Sequence, residues 1–304
     1  MIYKNLLRNL SLLYLDLKNN ISKIYQNSNL YNNKISKIFN NNFEYKPSPY
    51  LLSSIVKYQK KKYLIEDFAL DSVWQDKMNR KDFEKLNNFF WFFSLDLKSS
   101  KKDVQSLVLN WISKNNRYNS ESWDFDLTSK RIISWLSNHQ LTYEESSKEY
   151  QVKFSQYIQK QANHLLYEIK NSDEYENKMI GCAAIILTGL AFKDNKNYLN
   201  KGLGLLKKII KSSIDNQGFP KSRNIKQLIF YLKYFIIIRE WFKESQNEIP
   251  EYIDETIYYL GLNYTFIWQN IKCDILFNGN YNSDNHGFDE YLKRFGYNFK
   301  NKNN

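Results

Sequence analysis

Residues that break or bend helices are scarce in this sequence. Only 9 Gly and 4 Pro occur among 304 residues. A β-sandwich or a β-barrel needs a turn signal roughly every 8–12 residues, and this chain has too few of them. The scarcity argues against both all-β architectures and favours long helices.

Residues for metal and thiol chemistry are also few. The chain has 2 Cys and 3 His. His139, His164 and His286 are too far apart for a zinc-binding pattern. Cys182 lies in the apolar run GCAAIILTGLAF, where a buried free thiol is expected rather than a nucleophile. We therefore expect no metal and no cofactor, and the sequence contains no P-loop, dinucleotide fingerprint or G-x-S-x-G motif.

No apolar run is long enough to cross a membrane. The longest, LIFYLKYFIII at 228–238, contains Lys233 and is shorter than the roughly 20 residues that a transmembrane helix needs. The N-terminus looks like a signal peptide, but Arg8 and Asp16 interrupt its apolar stretch and no cleavage site follows. We interpret it as an amphipathic helix, and the default expectation is a cytoplasmic location.

Aromatic and basic residues are abundant. Hydrophobic residues make up 42% and aromatic residues 17% of the chain, and the formal net charge is +12. A positive charge favours an acidic partner such as nucleic acid, an anionic membrane or an acidic polysaccharide. The alternative is compositional drift, because Lys, Asn, Ile and Tyr are enriched together and the basic residues are interleaved with apolar ones.

The chain divides into three parts. Residues 1–50 comprise an N-terminal helix and an Asn-rich arm, which we expect to be poorly structured from residue 19 onwards. Residues 51–290 contain the helical patterns, and residues 291–304 form a polar tail. Apolar residues recur at helical spacing in 83–97, 103–114, 127–139, 152–169, 177–192, 198–211, 225–242 and 249–260. The short connections predict an all-α fold of antiparallel hairpins, either an α/α toroid or a solenoid.

Two of these segments carry more specific expectations. The segment 177–192 is apolar nearly all round, which predicts a central, buried helix. The segment 127–139 is preceded by Asp126 and contains Thr128 near its start, and either residue is a suitable N-cap for its helix.

Arg131 and Trp135 form the first candidate site. They are four residues apart and therefore share a helix face. A Trp can stack on a sugar ring while a neighbouring Arg binds a carboxylate or a sulfate. The alternative is that Trp135 packs in the core and Arg131 pairs with Asp124 or Asp126.

The loop DNQGFPKSRN, residues 215–224, is the second candidate. Lys221 and Arg223 precede a helix N-terminus, and with the amides of a Gly-Pro turn they could bind an anion. The alternative is a solvated loop in which Asp215 caps a turn. The run FFWFF at 89–93 is interpreted as core, because five consecutive aromatic residues cannot all face one groove.

The order of these segments resembles the heparinase II/III-like family. The similarity, from residue 70 to residue 290, is carried by FFWFFSLDL, LVLNWISKN, WDFDLTSKRIISWLSNH, GCAAIILTGLAF, KGLGLLKKII, DNQGFPKSRN and ILFNGNYNSDN. The resemblance implies an incomplete α/α toroid followed by a β-sandwich, which would begin near residue 291 or belong to a separate chain. It also implies β-elimination on acidic, uronic-acid polysaccharides in the periplasm, with no cofactor.

The catalytic pairs of that family have no counterparts here. Its Asn-His pair would fall near Glu176 and Asn177, and its Tyr-His pair near Gln227 and Leu228. The catalytic residues are therefore not assigned. The loop 215–224 matches the cleft-side loop of the family, and FNG at 277–279 matches as well. The expected substrate-binding residues are Asp215, Lys221, Arg223, Asn224, Trp123, Arg131, Trp135 and Asn177.

Three functions remain open at this point. The first is the toroid domain of a heparinase II/III-like lyase that binds or cleaves acidic polysaccharide. The second is a non-catalytic glycan-binding or scaffold domain, which the missing catalytic pairs favour. The third, less favoured, is a helical solenoid that binds nucleic acid through its positive charge.

Overall fold

The structure is a computed structural model that describes residues 10, 13, 17, 20–38, 42–53, 63–67, 78–172, 175–192, 196–270, 291–294 and 296–297. Within these residues the fold is all-helical, as predicted, and extended pairing is limited to two isolated β-bridges, between Tyr63 and Leu95 and between Ile214 and Pro220. Cys273, His286 and the FNG match at 277–279 lie outside the described residues.

From residue 101 to residue 244 the helices follow the predicted segments to within about four residues at each end, whereas the last helix extends ten residues beyond the predicted residue 260. Residues 20–26 are helical, and the bounded α-helices are α1 (Asn29–Ile35), α2 (Pro49–Ser53), α3 (Arg80–Asn87), α4 (Lys101–Lys114), α5 (Phe125–Ser137), α6 (His139–Thr142), α7 (Lys148–Glu168), α8 (Tyr175–Ala191), α9 (Lys196–Ser213), α10 (Ile225–Glu244) and α11 (Glu251–Asn270). Short 3₁₀ turns span Ile65–Asp67 and Phe90–Ser94.

The N-cap of α5 is Asp124, so the expectation of Asp126 or Thr128 at this position is wrong. The Asp124 carboxylate accepts hydrogen bonds from the backbone N–H groups of Asp126, at 3.0 Å, and Leu127, at 3.3 Å. These N–H groups have no partner inside the helix, so a carboxylate before the first turn stabilises them. The helix consequently starts two residues earlier than its apolar pattern.

A single helix over 83–97 is not formed. Helix α3 ends at Asn87, and Phe89 has a φ of 58°, in the left-handed region that a bulky residue rarely occupies. The strained backbone lets the Phe89 ring pack edge-on against Trp111 and Trp135, with ring centroids 5.9 and 5.1 Å apart. As predicted, the aromatic run is mainly core, since Phe89, Phe90, Phe92 and Phe93 are all buried.

Helix α8 is the central helix of the fold, as its apolar sequence predicted. It packs against α5, α7, α9 and α10. Gly189 allows the backbones of α8 and α9 to approach closely, because a Cβ at this position would lie 2.5 Å from the backbone nitrogen of Leu199. Cys182 is a buried free thiol, and burial raises its pKa. Its side chain therefore contributes to core packing and is not suited to act as a nucleophile.

The described residues of the Asn-rich segment, 20–38 and 42–50, are structured, which corrects the expectation of a poorly structured arm. Tyr31 and Ile35 of α1 are fully buried, and α1 packs on α7. Beyond it, Phe43 packs edge-on against Tyr143, with ring centroids 4.9 Å apart. Composition misled the prediction because the Asn residues remain mostly on the surface while four apolar side chains, Tyr31, Ile35, Phe43 and Tyr45, are buried in the core.

Residues 42–48 also complete the ends of two core helices. The backbone N–H of Glu44 donates to the carbonyl of Ala191, the last residue of α8, at 2.9 Å. The Tyr45 hydroxyl donates to the Glu244 carboxylate at 2.7 Å. These bonds satisfy a helix-end carbonyl and a carboxylate at the C-terminal ends of α8 and α10. The N-terminal segment is thus part of the folded unit.

None of the helices in the described part of the chain is long and apolar enough to cross a lipid bilayer.

Candidate functional site

A large recess lies beside the start of α5. It has a volume of about 1030 Å³ and is bounded by α3, the connection after α4, the first turn of α5 and the start of α8. A second recess of about 380 Å³ adjoins it and extends towards the C-terminal end of α7. Ser120, Asp124 and Asn177 line both. We refer to the two recesses together as the cleft.

Trp123 is fixed in the wall of the cleft by hydrogen bonds at both ends. Its indole N–H donates to the carbonyl of Asn115 at 3.1 Å. Its own carbonyl accepts from Nε2 of His164 at 2.9 Å, and Nδ1 of His164 lies 2.7 Å from the Tyr31 hydroxyl. Because a carbonyl can only accept, the proton is on Nε2, and Tyr31 donates to Nδ1.

His164 is therefore a neutral, structural histidine. It is buried, and burial lowers its pKa to about 4, against the raising effect of the bond to Trp123 and with a further lowering by Arg131. The chain Tyr31–His164–Trp123 connects α1 to the cleft wall through α7. The position of Trp123 thus depends on the N-terminal segment.

Tyr118 is a half-buried aromatic residue of the cleft, as are Phe83 and Phe125. The Tyr118 ring centroid is 5.3 Å from that of His164. Burial, together with the carboxylates of Glu168 and Asp124, raises the pKa of the Tyr118 hydroxyl to about 12. The hydroxyl is therefore protonated at neutral pH and can donate a hydrogen bond to a ligand.

The cleft is lined with more acidic than basic side chains. Its carboxylates belong to Glu84, Glu121, Asp124, Asp126 and Glu168, whereas its basic side chains belong to Arg80 and Lys114. Arg80 is paired with Glu84 at 2.8 Å. Burial raises the pKa of Asp126, although Lys130 acts to lower it. An acidic cleft on a chain of net charge +12 does not follow from the overall composition.

Arg131 is completely buried below the cleft, where it has no carboxylate partner among the described residues. Its Nε donates to Gln161 Oε1 at 2.7 Å, Nη1 to the carbonyl of Asn87 at 2.9 Å and Nη2 to Thr128 Oγ1 at 3.1 Å. Its guanidinium lies 3.9 Å from the Trp111 ring centroid. Burial lowers its pKa to about 9; the hydrogen bonds and the aromatic face support the charged form.

Trp135 packs in the core, in agreement with the alternative interpretation of this helix. It is fully buried, and its ring lies 6.0 Å from that of Phe154, measured between centroids. The expected pairing of Arg131 with Asp124 or Asp126 is wrong, because Asp126 pairs with Lys130 at 2.5 Å and Asp124 caps α5. Arg131 and Trp135 lie beneath the cleft, and a polymer bound in the cleft cannot contact either side chain in this conformation.

The charged residues of the loop 215–224 have structural roles. Asp215 Oδ1 accepts from the backbone N–H groups of Gln217 and Phe219, both at 2.9 Å, and Oδ2 lies 2.6 Å from Arg223 Nη1. Burial raises the pKa of Asp215, but the two backbone bonds and Arg223 outweigh it and hold the pKa below its usual value. Asp215 therefore caps a turn, which agrees with the alternative interpretation of this loop.

Lys221 and Asn224 form hydrogen bonds with backbone groups at the ends of the flanking helices. The Lys221 amine donates to the carbonyl of Lys211 in the last turn of α9 at 2.7 Å. Asn224 caps α10 by accepting from the N–H of Lys226 at 2.9 Å. The cleft is lined by other parts of the described chain, so the loop and the cleft are separate features.

Two of the eight predicted binding residues, Trp123 and Asn177, line the cleft. Sequence reasoning missed Tyr118 and the carboxylates. Their signal was the polar, turn-rich stretch NRYNSESWD at 116–124, which separates two strongly helical patterns. In the described ranges, no three His, Cys, Asp or Glu side chains are grouped as metal ligands.

Comparison with known proteins yields no relationship. No family model matches the chain, and no curated protein or solved structure matches it.

Proposed function

We propose that this chain is a glycan-binding helical domain whose ligand occupies the cleft. The observation that carries the proposal is the combination of a recess of about 1030 Å³ with polar walls and an aromatic face at one end. Known ligand sites have volumes of roughly 300–1,000 Å³ and place a few polar groups around an apolar surface. The cleft is large enough for several sugar rings.

The cleft offers the types of groups that bind sugars. Asn115, Asn119 and Asn177 provide amides, which donate and accept hydrogen bonds, and the carboxylates accept from sugar hydroxyls. Tyr118 lies at the end of the adjoining recess and combines an apolar ring with a polar tip. This combination fits a ligand that is rich in hydroxyl groups and has apolar ring faces.

The charge of the lining selects among glycans. Five carboxylates against two basic side chains repel a uronate or a sulfate, since like charges in a partly desolvated site interact strongly. A neutral or amino sugar fits the cleft better than the acidic polysaccharide implied by the family resemblance.

The relationship to heparinase II/III-like proteins and the toroid architecture are part of the proposal. The order of the sequence segments supports it, as do the contacts between successive helices α8 and α9 and between α10 and α11, which a series of hairpins produces. Asn177, near which the catalytic Asn-His pair of the family would fall, lines the cleft. The missing His favours binding over elimination.

The test is a binding assay with neutral glucans, chitosan oligosaccharides, alginate and heparin. Glu121→Gln changes an exposed carboxylate of the cleft, and Glu255→Gln changes an exposed one on α11. We expect binding of a neutral or amino sugar, weakened several-fold by Glu121→Gln and by Asn177→Ala but unchanged by Glu255→Gln. Equal effects of the two Glu variants would show that the cleft is not the binding site.

The same panel tests lyase activity. Elimination on alginate or heparin forms an unsaturated uronate, which absorbs in the ultraviolet. An increase in absorbance with the wild-type protein would establish uronate chemistry and refute the preference for neutral or amino sugars.

A further inference from the structure

Large aliphatic side chains form an exposed stripe near the N-terminus. They are Leu10, Leu13, Leu17, Ile21 and Ile24, and each is between 55% and 72% exposed. At 100° per residue, these positions fall within a sector of about 80° on a helix. Scattered exposed hydrophobic residues are ordinary, but a stripe of them on one helix face indicates a surface that binds a partner or a membrane.

The opposite side of this segment is attached to the body of the protein. The Tyr25 ring packs against Tyr31 and Tyr167, with centroids 5.4 and 5.9 Å apart. The neighbouring Gln26 is buried and its amide donates to the Glu168 carboxylate. Because Tyr25 and Gln26 face inward, the stripe is directed away from the folded domain. It is therefore accessible while the domain stays intact.

The charge around the stripe is strongly positive. Residues 1–43 contain six Lys or Arg residues and one Asp, within a chain of net charge +12. Lys23, Lys34 and Lys37 are exposed in the described part of this segment. Basic residues beside an apolar helix face are attracted to anionic lipid headgroups.

We propose that the aliphatic stripe attaches this protein to an anionic lipid surface, with its side chains inserted among the headgroups. Interfacial helices combine an apolar face with a basic one, and their affinity depends on both. Positive charge also argues against a second copy as the occupant, because two basic segments repel each other.

The test is flotation of the purified protein with phosphatidylcholine vesicles and with vesicles that also contain phosphatidylglycerol. The Leu17→Gln/Ile21→Gln variant removes apolar area without changing the charge. Tyr258→Gln/Phe266→Gln is the matched control, since these side chains are 53% and 63% exposed on α11. Neither variant removes buried packing, and circular dichroism verifies that both are folded.

We expect the wild type and the control to float with anionic vesicles, and salt to weaken this binding. The stripe variant should bind about a hundredfold more weakly, roughly tenfold for each aliphatic side chain withheld from the membrane. Equal binding by the stripe variant and the control would overturn the proposal. A failure of the wild-type protein to bind anionic vesicles would also overturn it. A dimer in sedimentation velocity that the stripe variant dissociates would identify a second copy as the occupant instead.

Discussion

Protonation of His164 should make the fold lose stability in mild acid. The imidazole is buried between Tyr31 and the Trp123 carbonyl, and its pKa falls from 6.5 to about 4 on folding. The unfolded chain therefore binds a proton that the folded chain excludes throughout this interval. Stability is complete above pH 6.5 and decreases as the pH falls towards 4. A difference of about 2.5 pKa units corresponds to about 3 kcal/mol.

The assay is denaturant unfolding of the wild type and His164→Gln at several pH values across this interval. Glutamine is neutral and can both donate and accept, so the difference between the two proteins isolates the histidine from other titrating groups. His139→Gln is the comparison: burial also lowers the pKa of His139, but Glu144 opposes the shift, so this variant should remove a smaller part of the pH dependence than His164→Gln. Parallel pH dependences of the wild type and His164→Gln would refute the reasoning.

Four further substitutions test individual contacts by denaturant unfolding. Gly218→Ala should destabilise the fold by about 1–3 kcal/mol, because its φ is +73° and a Cβ would collide with α11; no loss would contradict the close approach. Asp215→Ala should lower the free energy of unfolding by about 1–2 kcal/mol, because two backbone N–H groups lose their acceptor. Arg223→Gln should lower it by less than about 1 kcal/mol, because Arg223 is the exposed partner of the ion pair. A larger loss for Arg223→Gln than for Asp215→Ala would disprove the capping role. Tyr31→Phe should lower the free energy of unfolding by about 1–3 kcal/mol, because it leaves Nδ1 of His164 without a hydrogen-bond donor. An unchanged unfolding midpoint would contradict the hydrogen bond between Tyr31 and His164.

The helices were predictable because their signals are local. The apolar pattern of 177–192 identified the central helix, and the long apolar segment 225–242 identified α10, each to within a few residues. The break at Phe89 was not predictable, since no Gly or Pro marks it. Its left-handed backbone results from packing against Trp111 and Trp135, which follow later in the chain.

The candidate site was predictable only in part. Trp123 and Asn177 were expected at a binding surface and line the cleft. Arg131 was expected there as well, but it lies beneath the surface with polar partners from α7 and from the end of α3. A sequence cannot show which face of a helix another helix will cover when both faces contain polar residues.

Helical periodicity and composition are properties of neighbouring residues, so an all-helical protein with an aromatic core and a positive charge could be predicted from the amino-acid sequence. The docking of the Asn-rich segment and the acidity of the cleft depend on tertiary packing. The contact between Tyr31 and His164 spans 133 positions, and the cleft combines residues from α3, α5 and α8. Such contacts form only when distant parts of the chain pack together, and no local pattern encodes them.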